Sequence, residues 1–217
     1  MKLLSFDVGI KNLAFCQLDT NDKSILDWGI IYISVDTTCD HVSKDKCCDK
    51  TATKIIKDGE FKLCTGHTKL KCYKDKKMKN PPKLENRMLS LGNQIVKKLD
   101  EKINFLNMDV VCIENQPALK NPTMKSVQMI IYSYFLMNGK AKNILMINAR
   151  NKLKVYTGPK IECDIKESYK RNKVLAIKYC DYMIRENIHI DKVYHKLYDE
   201  SKKKDDLSDA YLQGIYY

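Results

Sequence analysis

No stretch of this chain approaches the roughly 18 consecutive apolar residues that a membrane-crossing helix needs, which argues against a spanning protein. The opening MKLLSFDVGI also lacks the uninterrupted apolar core of a secretory signal, because Asp7 breaks it. An intracellular, reducing location is therefore expected: the cytoplasm, or a virus factory if the chain is viral. No internal repeat is visible, and no second, phosphate-binding D-x-G is read late in the chain, the Asp27-Trp28-Gly29 triplet lying inside an apolar run. That absence, with a length of only 217 residues, counts against an actin-like phosphotransferase or ATPase. Acidic residues are the scarcer charge, 27 Asp and Glu against 39 Lys and Arg, for a formal net charge of +12. A polyanionic partner fits this balance. With no lysine run flanking an apolar helix, nucleic acid is favoured over a membrane.

Large aliphatic residues are scarce from Thr37 to about Pro82. Between His41 and Lys79 stand 12 lysines and 5 acidic residues, a net +7 that supplies most of the excess charge. The chain reads as one domain, residues 1–217, in which residues 39–80 form a Lys-rich insertion with its own chemistry. In a reducing compartment its nine cysteines divide in two. Cys16, Cys112, Cys163 and Cys180 are scattered among hydrophobes and read as small core residues. Cys39, Cys47, Cys48, Cys64 and Cys72 crowd the polar insertion instead.

Outside that insertion the periodicity is clear. Residues 2 to 8, LAFCQLD and SILDWGIIYISV read as three strands with short connections, an antiparallel meander. After Pro81-Pro82, the residues Leu84, Met88, Leu91, Ile95, Leu99 and Ile103 recur at helical spacing. MDVVCIEN is too short and too apolar for a surface helix and suits a strand buried on both faces. A helix through Val127, Ile130, Ile131 and Tyr134 stops at Gly139, and NILMINA is a further buried strand. KLKVYTGP reads as a loop or short strand. A helix from about Lys166 to Glu186 buries Val174, Ile177, Cys180 and Ile184, and a last helix starts near Lys204 or Asp205. This order is that of an α/β protein with a mixed sheet.

Three segments place carboxylates where burial is costly unless they are paired, protonated or bound to a cation. Asp7 ends the first strand at the Gly9 turn, Glu114 ends VVCIEN, and Asp205, Asp206 and Asp209 sit in KKKDDLSDAY. Each has a bland alternative: a turn cap, a structural ion pair, or a solvated helix start with Asp at the favourable end of the dipole. Against the last, Ala210, Leu212 and Gly214 make the face beside Asp209 a packed one. On a helix, Asp206 or Asp205 shares a face with Asp209. Two Mg²⁺ ions about 4 Å apart need several shared carboxylates to cleave a phosphodiester, and Asp7, Glu114, Asp206 and Asp209 supply that number.

The order of strand-borne D-x-G-x-K-N, strand-borne I-E-N-Q and helical D-D-x-x-D-A resembles the RuvC-type Holliday junction resolvases of the RNase H-like superfamily. The likeness is greatest to those of poxviruses, giant DNA viruses and fungal mitochondria. FDVGIKNLAFC, SVQMIIYSYF, KLKVYTG, YKRNKVLAIKYC and KKKDDLSDAYLQ fit in order, covering nearly the whole chain except residues 39 to 80. The resemblance implies a five-stranded mixed sheet flanked by helices and a homodimer. It also implies symmetric, Mg²⁺- or Mn²⁺-dependent nicking of four-way DNA junctions in recombination, repair or replication. It makes Asp7, Glu114, Asp206 and Asp209 the metal ligands, with Asp205 in reserve. By the same likeness Lys204 contacts the scissile phosphate, and Lys11 and Asn12 take a phosphate-binding or orienting role at the active-site turn. The Val127 to Tyr134 helix is the candidate dimer interface, or else belongs to the monomer core.

Cys39, His41, Cys47, Cys48, Cys64, His67 and Cys72 carry the thiolates and imidazoles that Zn²⁺ prefers, and Cys64 and His67 have chelate spacing. In a segment too poor in hydrophobes to build a core, a metal can supply the folding energy. Cys39, Cys48, Cys64 and His67 are the expected four; His41, Cys47 and Cys72 are alternates. Free thiols on a Lys-rich loop are the other possibility. The competing function is a non-catalytic DNA-binding or scaffolding protein of the same fold, against which the full set of carboxylates speaks.

Overall fold

A computed structural model describes all of the chain except residues 34, 36, 45, 49, 58–60 and 83–85. It contains two compact units, Met1–Ser34 with Leu91–Tyr217, and Val35–Ser90.

The larger unit opens with β1 (Lys2–Asp7), β2 (Asn12–Asp19) and β3 (Ile25–Tyr32), each antiparallel to the next. The small unit comes next, with a strand pair, β4 (Val42–Ser43) and β5 (Lys46–Cys47). Three more short strands, β6 (Lys54–Ile56), β7 (Lys62–Leu63) and β8 (Met78–Lys79), form a second sheet in the order β7-β6-β8, and α1 (Lys71–Lys74) precedes the last of them. The chain then enters α2 (Arg87–Asp100), β9 (Val110–Glu114), α3 (Pro122–Asn138), β10 (Asn143–Ile147), α4 (Ser168–Glu186), α5 (Lys192–Glu200) and α6 (Lys204–Tyr216). The main sheet has the order β10-β9-β1-β2-β3, with β9 and β10 parallel to β1. This is the mixed five-stranded sheet expected from the sequence, with its first three strands antiparallel.

Because side chains alternate along a strand, the apolar runs cover both faces of the sheet. Phe6 of β1 and Phe15 of β2 point to one face, where they meet Phe105, and Phe6 also meets Phe135 of α3. Leu3 on β1, Ala14, Cys16 and Leu18 on β2, and Val110 and Cys112 on β9 point to the other. They form one core there with Ala176, Cys180 and Ile184 of α4 and with Leu207, Ala210, Tyr211 and Leu212 of α6. α6 comes so close to the sheet that a Cβ on Gly214 would lie 2.6 Å from Leu18 Cδ1. By strand parity, Asp7, Asn12 and Glu114 share the face that α6 covers.

Several expectations need correction. Leu84 lies outside the described residues, and the helix expected to reach Ile103 ends at Asp100. A 3₁₀ turn over Ile103–Asn107 then swings Phe105 into the aromatic cluster and leaves Ile103 70% exposed. The first half of KLKVYTGP belongs to a 3₁₀ helix, Ala149–Val155, rather than to a loop or strand. α5 is an additional helix, and on α4 Ala176 is buried with Cys180 and Ile184, whereas Val174 and Ile177 are only half-buried. In α3, capped by Asn121 Oδ1 accepting from the Met124 N–H, the residues Val127, Ile131 and Tyr134 are buried within the larger unit. The candidate interface face is therefore already covered. The apolar residues that α3 leaves exposed are Met129, Leu136 and Met137.

Candidate functional site

β1 and β9 run side by side in parallel, with Phe6 opposite Ile113, so Asp7 and Glu114 leave adjacent strand ends together. In open sheets with parallel strands this carboxyl end is where ligands bind. Gly9 provides the sharp exit from β1, since a Cβ there would collide with the Asn12 carbonyl oxygen; its φ is not positive. α6 is locked over these ends by three polar contacts of one buried side chain. Gln213 Nε2 donates to Ser5 Oγ at 3.0 Å, to the Phe6 carbonyl at 3.0 Å and to the Cys112 carbonyl at 3.4 Å. At the other end of the helix, Trp28 Nε1 donates to the Leu207 carbonyl and its ring stacks on Tyr198. These anchors bring Asp206 and Asp209, one turn apart on α6, to the strand ends.

The four carboxylates line one cleft of about 710 Å³. At its base sits a residue that sequence reasoning missed. Lys152, from the 3₁₀ helix after β10, places Nζ 2.9 Å from Asp7 Oδ1, 3.1 Å from Glu114 Oε1 and 3.1 Å from Asp209 Oδ2. Its side chain is only 5% exposed. Gln116 Nε2 fixes the other oxygen of Glu114 at 2.5 Å, and the Gln116 N–H is bound by Gln128 Oε1 of α3. Asn12 Nδ2 reaches Asp206 Oδ2 at 3.4 Å.

Crowding shapes the charges. Burial, then the neighbouring Asp7, pushes Glu114 up to about 7, against the pull of Lys152. Asp209 rises to about 6 through burial and Asp7, again opposed by Lys152. Burial, Asp205 and Asp7 raise Asp206 as well. Burial alone would depress Lys152, but Asp7, Asp209 and Glu114 overcome it and hold the ammonium above its ordinary value. A nest of carboxylates that still favours protons after recruiting an ammonium is short of positive charge.

Asp205 points elsewhere. It pairs with Lys173 Nζ at 2.9 Å, which outweighs its burial and holds it below the usual range. Lys204 turns its Nζ toward Asp199, 3.7 Å away, and over the Tyr198 ring; it does not line the cleft. Lys203 does, 3.9 Å from Asp206, and Lys11, Arg150 and Lys173 complete a basic rim.

In the small unit, one ligand atom each from Cys39, Cys48, Cys64 and His67 lies within 4.8 Å of all the others. Cys39 Sγ is 3.2 Å and Cys64 Sγ 3.5 Å from His67 Nδ1, and Cys48 and Cys64 sulfurs are 4.0 Å apart with no disulfide between them. Burial alone would raise the Cys64 thiol, but the backbone N–H groups of His67 and Gly66 outweigh it and lower it toward thiolate. Of the alternates, Cys47 and Cys72 are exposed. His41 packs tilted against His67, ring centroids 4.0 Å apart, and its Nδ1 is 3.2 Å from Tyr73 Oη.

A sheet of order β10-β9-β1-β2-β3, with carboxylates at two adjacent strand ends and on a closing helix, defines the RNase H-like class of fold. Within it, the chain belongs to the family described as mitochondrial resolvase Ydc2 / RNA splicing MRS1, whose model matches residues 3–118. An uncharacterised protein, L451, of Acanthamoeba polyphaga mimivirus is 34% identical over 211 residues, covering 84% of this chain and 49% of its own. The chain thus spans about half the length of the curated relative it matches. The fold is that of the yeast mitochondrial Holliday junction resolvase Ydc2: TM-score 0.54, 14% identity, 99% of this chain and 77% of that one. Fowlpox virus resolvase, solved with its substrate Holliday junction DNA, gives a TM-score of 0.51 at 15% identity, covering 100% and 96%. Thermus thermophilus RuvC in complex with a Holliday junction gives 0.53 at 8%, covering 100% and 92%.

Proposed function

We propose that this protein is a divalent-cation-dependent endodeoxyribonuclease that resolves four-way DNA junctions in recombination, repair or replication. The observation that carries the reading is the convergence of Asp7, Glu114, Asp206 and Asp209 on one cleft with a basic rim, on a resolvase fold. The donor set is all carboxylate oxygen, which suits Mg²⁺ or Mn²⁺ rather than a soft metal, and the nest already draws in a cation of the chain's own. When bound, Mg²⁺ or Mn²⁺ supplies Lewis-acid stabilisation of the phosphodiester and a more acidic attacking water. Asp7 and Glu114 at the strand ends and Asp206 and Asp209 on α6 would hold it. Asn12 orients Asp206, and Lys11, Arg150, Lys173 and Lys203 draw the phosphodiester backbone into the cleft by charge. Symmetric nicking of a junction calls for a homodimer. Its interface must lie outside the buried face of α3, and the exposed Met129, Leu136 and Met137 offer one.

The small unit serves in this reading as a zinc-folded insertion of the nuclease domain, with Cys39, Cys48, Cys64 and His67 as tetrahedral ligands and its lysines as an added DNA contact. The mimivirus relative favours a viral source and the cytoplasm as the site of action. Incubating four-way junction, flap and RNA/DNA hybrid with Mg²⁺ tests the function, with Asp7→Asn beside the wild type. Junction nicking by the wild type alone, with binding retained by the variant, supports it. The family description also includes an RNA-splicing protein. Tight, salt-sensitive binding without cleavage of any substrate would favour a non-catalytic nucleic-acid-binding or scaffolding role instead.

A further inference from the structure

Among the described residues, Lys152 is the one charged residue that is fully buried, and nothing in the proposed chemistry uses it. Its place is built rather than accidental. Asn148 Oδ1 caps the 3₁₀ helix by accepting from the Arg150 N–H, and Leu153 and Val155 anchor it in the core shared with α4 and α6. That anchoring aims the lysine stem into the nest. Nζ then sits where one oxygen each of Asp7, Glu114 and Asp209 converge, at 2.9 to 3.1 Å.

Those three carboxylates are among the ones that would hold a divalent cation, whose oxygen ligands approach more closely than the hydrogen-bond partners of an ammonium. A cation held by them would have to share the point that Nζ fills, and two positive charges cannot occupy it together. Charge balance gives the same answer. Four ionised carboxylates match two divalent ions, and an ammonium left among them would over-neutralise the nest. A lysine is suited to leave: its charge is a point on four flexible methylenes, and the cleft above it is open and lined by polar groups.

We propose that Lys152 is a built-in counter-cation that holds the carboxylate nest together in the metal-free protein and is expelled when a divalent cation binds. Cation uptake is thus an exchange of ions rather than the filling of an open site. This rests on the nest being the cation site of the proposed nuclease. The ammonium keeps Asp7, Glu114 and Asp209 gathered before any metal arrives, at the cost of weaker metal affinity. Once expelled, it joins Lys11, Arg150, Lys173 and Lys203 facing the substrate backbone.

Two measurements on the full chain test the exchange without recourse to activity. In calorimetric titration with Mn²⁺, Lys152→Met should bind the ion at least about tenfold more tightly than the wild type, because it has no ammonium to displace. Equal or weaker binding overturns the exchange. The second needs no variant: reductive methylation followed by peptide mass spectrometry, with and without Mg²⁺. Lys152 should resist modification in the absence of the ion and become reactive in its presence. Unchanged protection means that Lys152 stays in place, and overturns the exchange while leaving the nuclease reading intact, provided the wild type binds Mn²⁺. Absence of Mn²⁺ binding by both proteins removes the exchange and the cation-dependent nuclease reading together.

Discussion

The carboxylate nest and the cysteine–histidine cluster both gather side chains from distant positions, but they are assembled by opposite means. Asp7, Glu114 and Asp209 stand on strands and a helix whose apolar faces are buried without help, and Gln213 ties α6 to both strands. In the small unit the strands are two or three residues long, and the clustered core is Cys39, Ile56, Leu63 and Cys64, so two of its four buried residues belong to the cysteine–histidine cluster itself. In the proposed reading, a metal at the nest would be a reagent delivered to a finished scaffold, and one at the cluster would be part of the scaffold.

The sharpest break between the two comes from Asp7→Asn. Removing a group one shell beyond a metal typically costs about 10- to 100-fold. Loss of a ligand in the nest should therefore lower junction cleavage by more than about a hundredfold, with little change in the thermal unfolding of either unit. The next largest effect is chelation. A zinc chelator such as TPEN should open residues 35–90 to limited proteolysis while the sheet and α6 stay resistant, because structural zinc contributes about 10–16 kcal/mol in small domains. Depletion of Mg²⁺ should expose neither unit.

A subtler distinction is pH. Glu114 and Asp209 have folded values of about 7 and about 6, above the ordinary carboxylate values near 4. Raised groups favour folding below their unfolded values, and that contribution is lost as pH rises through the folded ones. In metal-depleted buffer, stability should thus fall between about pH 4.3 and 7. A divalent cation needs the deprotonated carboxylates, so the Tm difference between Mn²⁺-loaded and Mn²⁺-free protein should widen from about pH 5.5 to 7.5. A constant difference would mean that these carboxylates do not bind the ion. The smallest effect expected is that of Gln213→Leu. It leaves the Phe6 and Cys112 carbonyls with one donor fewer, costs about 1–3 kcal/mol in denaturant unfolding and spares the zinc content.

What is legible in the sequence divides along the same line between local and tertiary causes. A short apolar run ending in an acid marks β1 and β9, and the Asn121-Pro122 start and Gly139 stop mark α3, because those signals lie within a few residues. The seven cysteines and histidines of the insertion also stand out by chemical type, and the structure gathers Cys39, Cys48, Cys64 and His67 from among them. α5 carries a readable but easily overlooked pattern, Asp191 as cap and then Val193, Tyr194, Leu197 and Tyr198. That Lys203 rather than Lys204 lines the cleft is set at the start of α6, where Lys203 is the non-helical cap residue and Lys204, the first helical one, turns toward Asp199. Lys152 has no local mark at all. It is one of 39 basic residues, and only the packing of its 3₁₀ helix under α6 makes it the buried one.

The most direct test of the central claim is anomalous diffraction from crystals of the full chain soaked in Mn²⁺. The account predicts an anomalous peak bonded to oxygens of Asp7, Glu114 and Asp209, absent in Asp7→Asn. A peak elsewhere, or none in the cleft of an active wild-type protein, would contradict it.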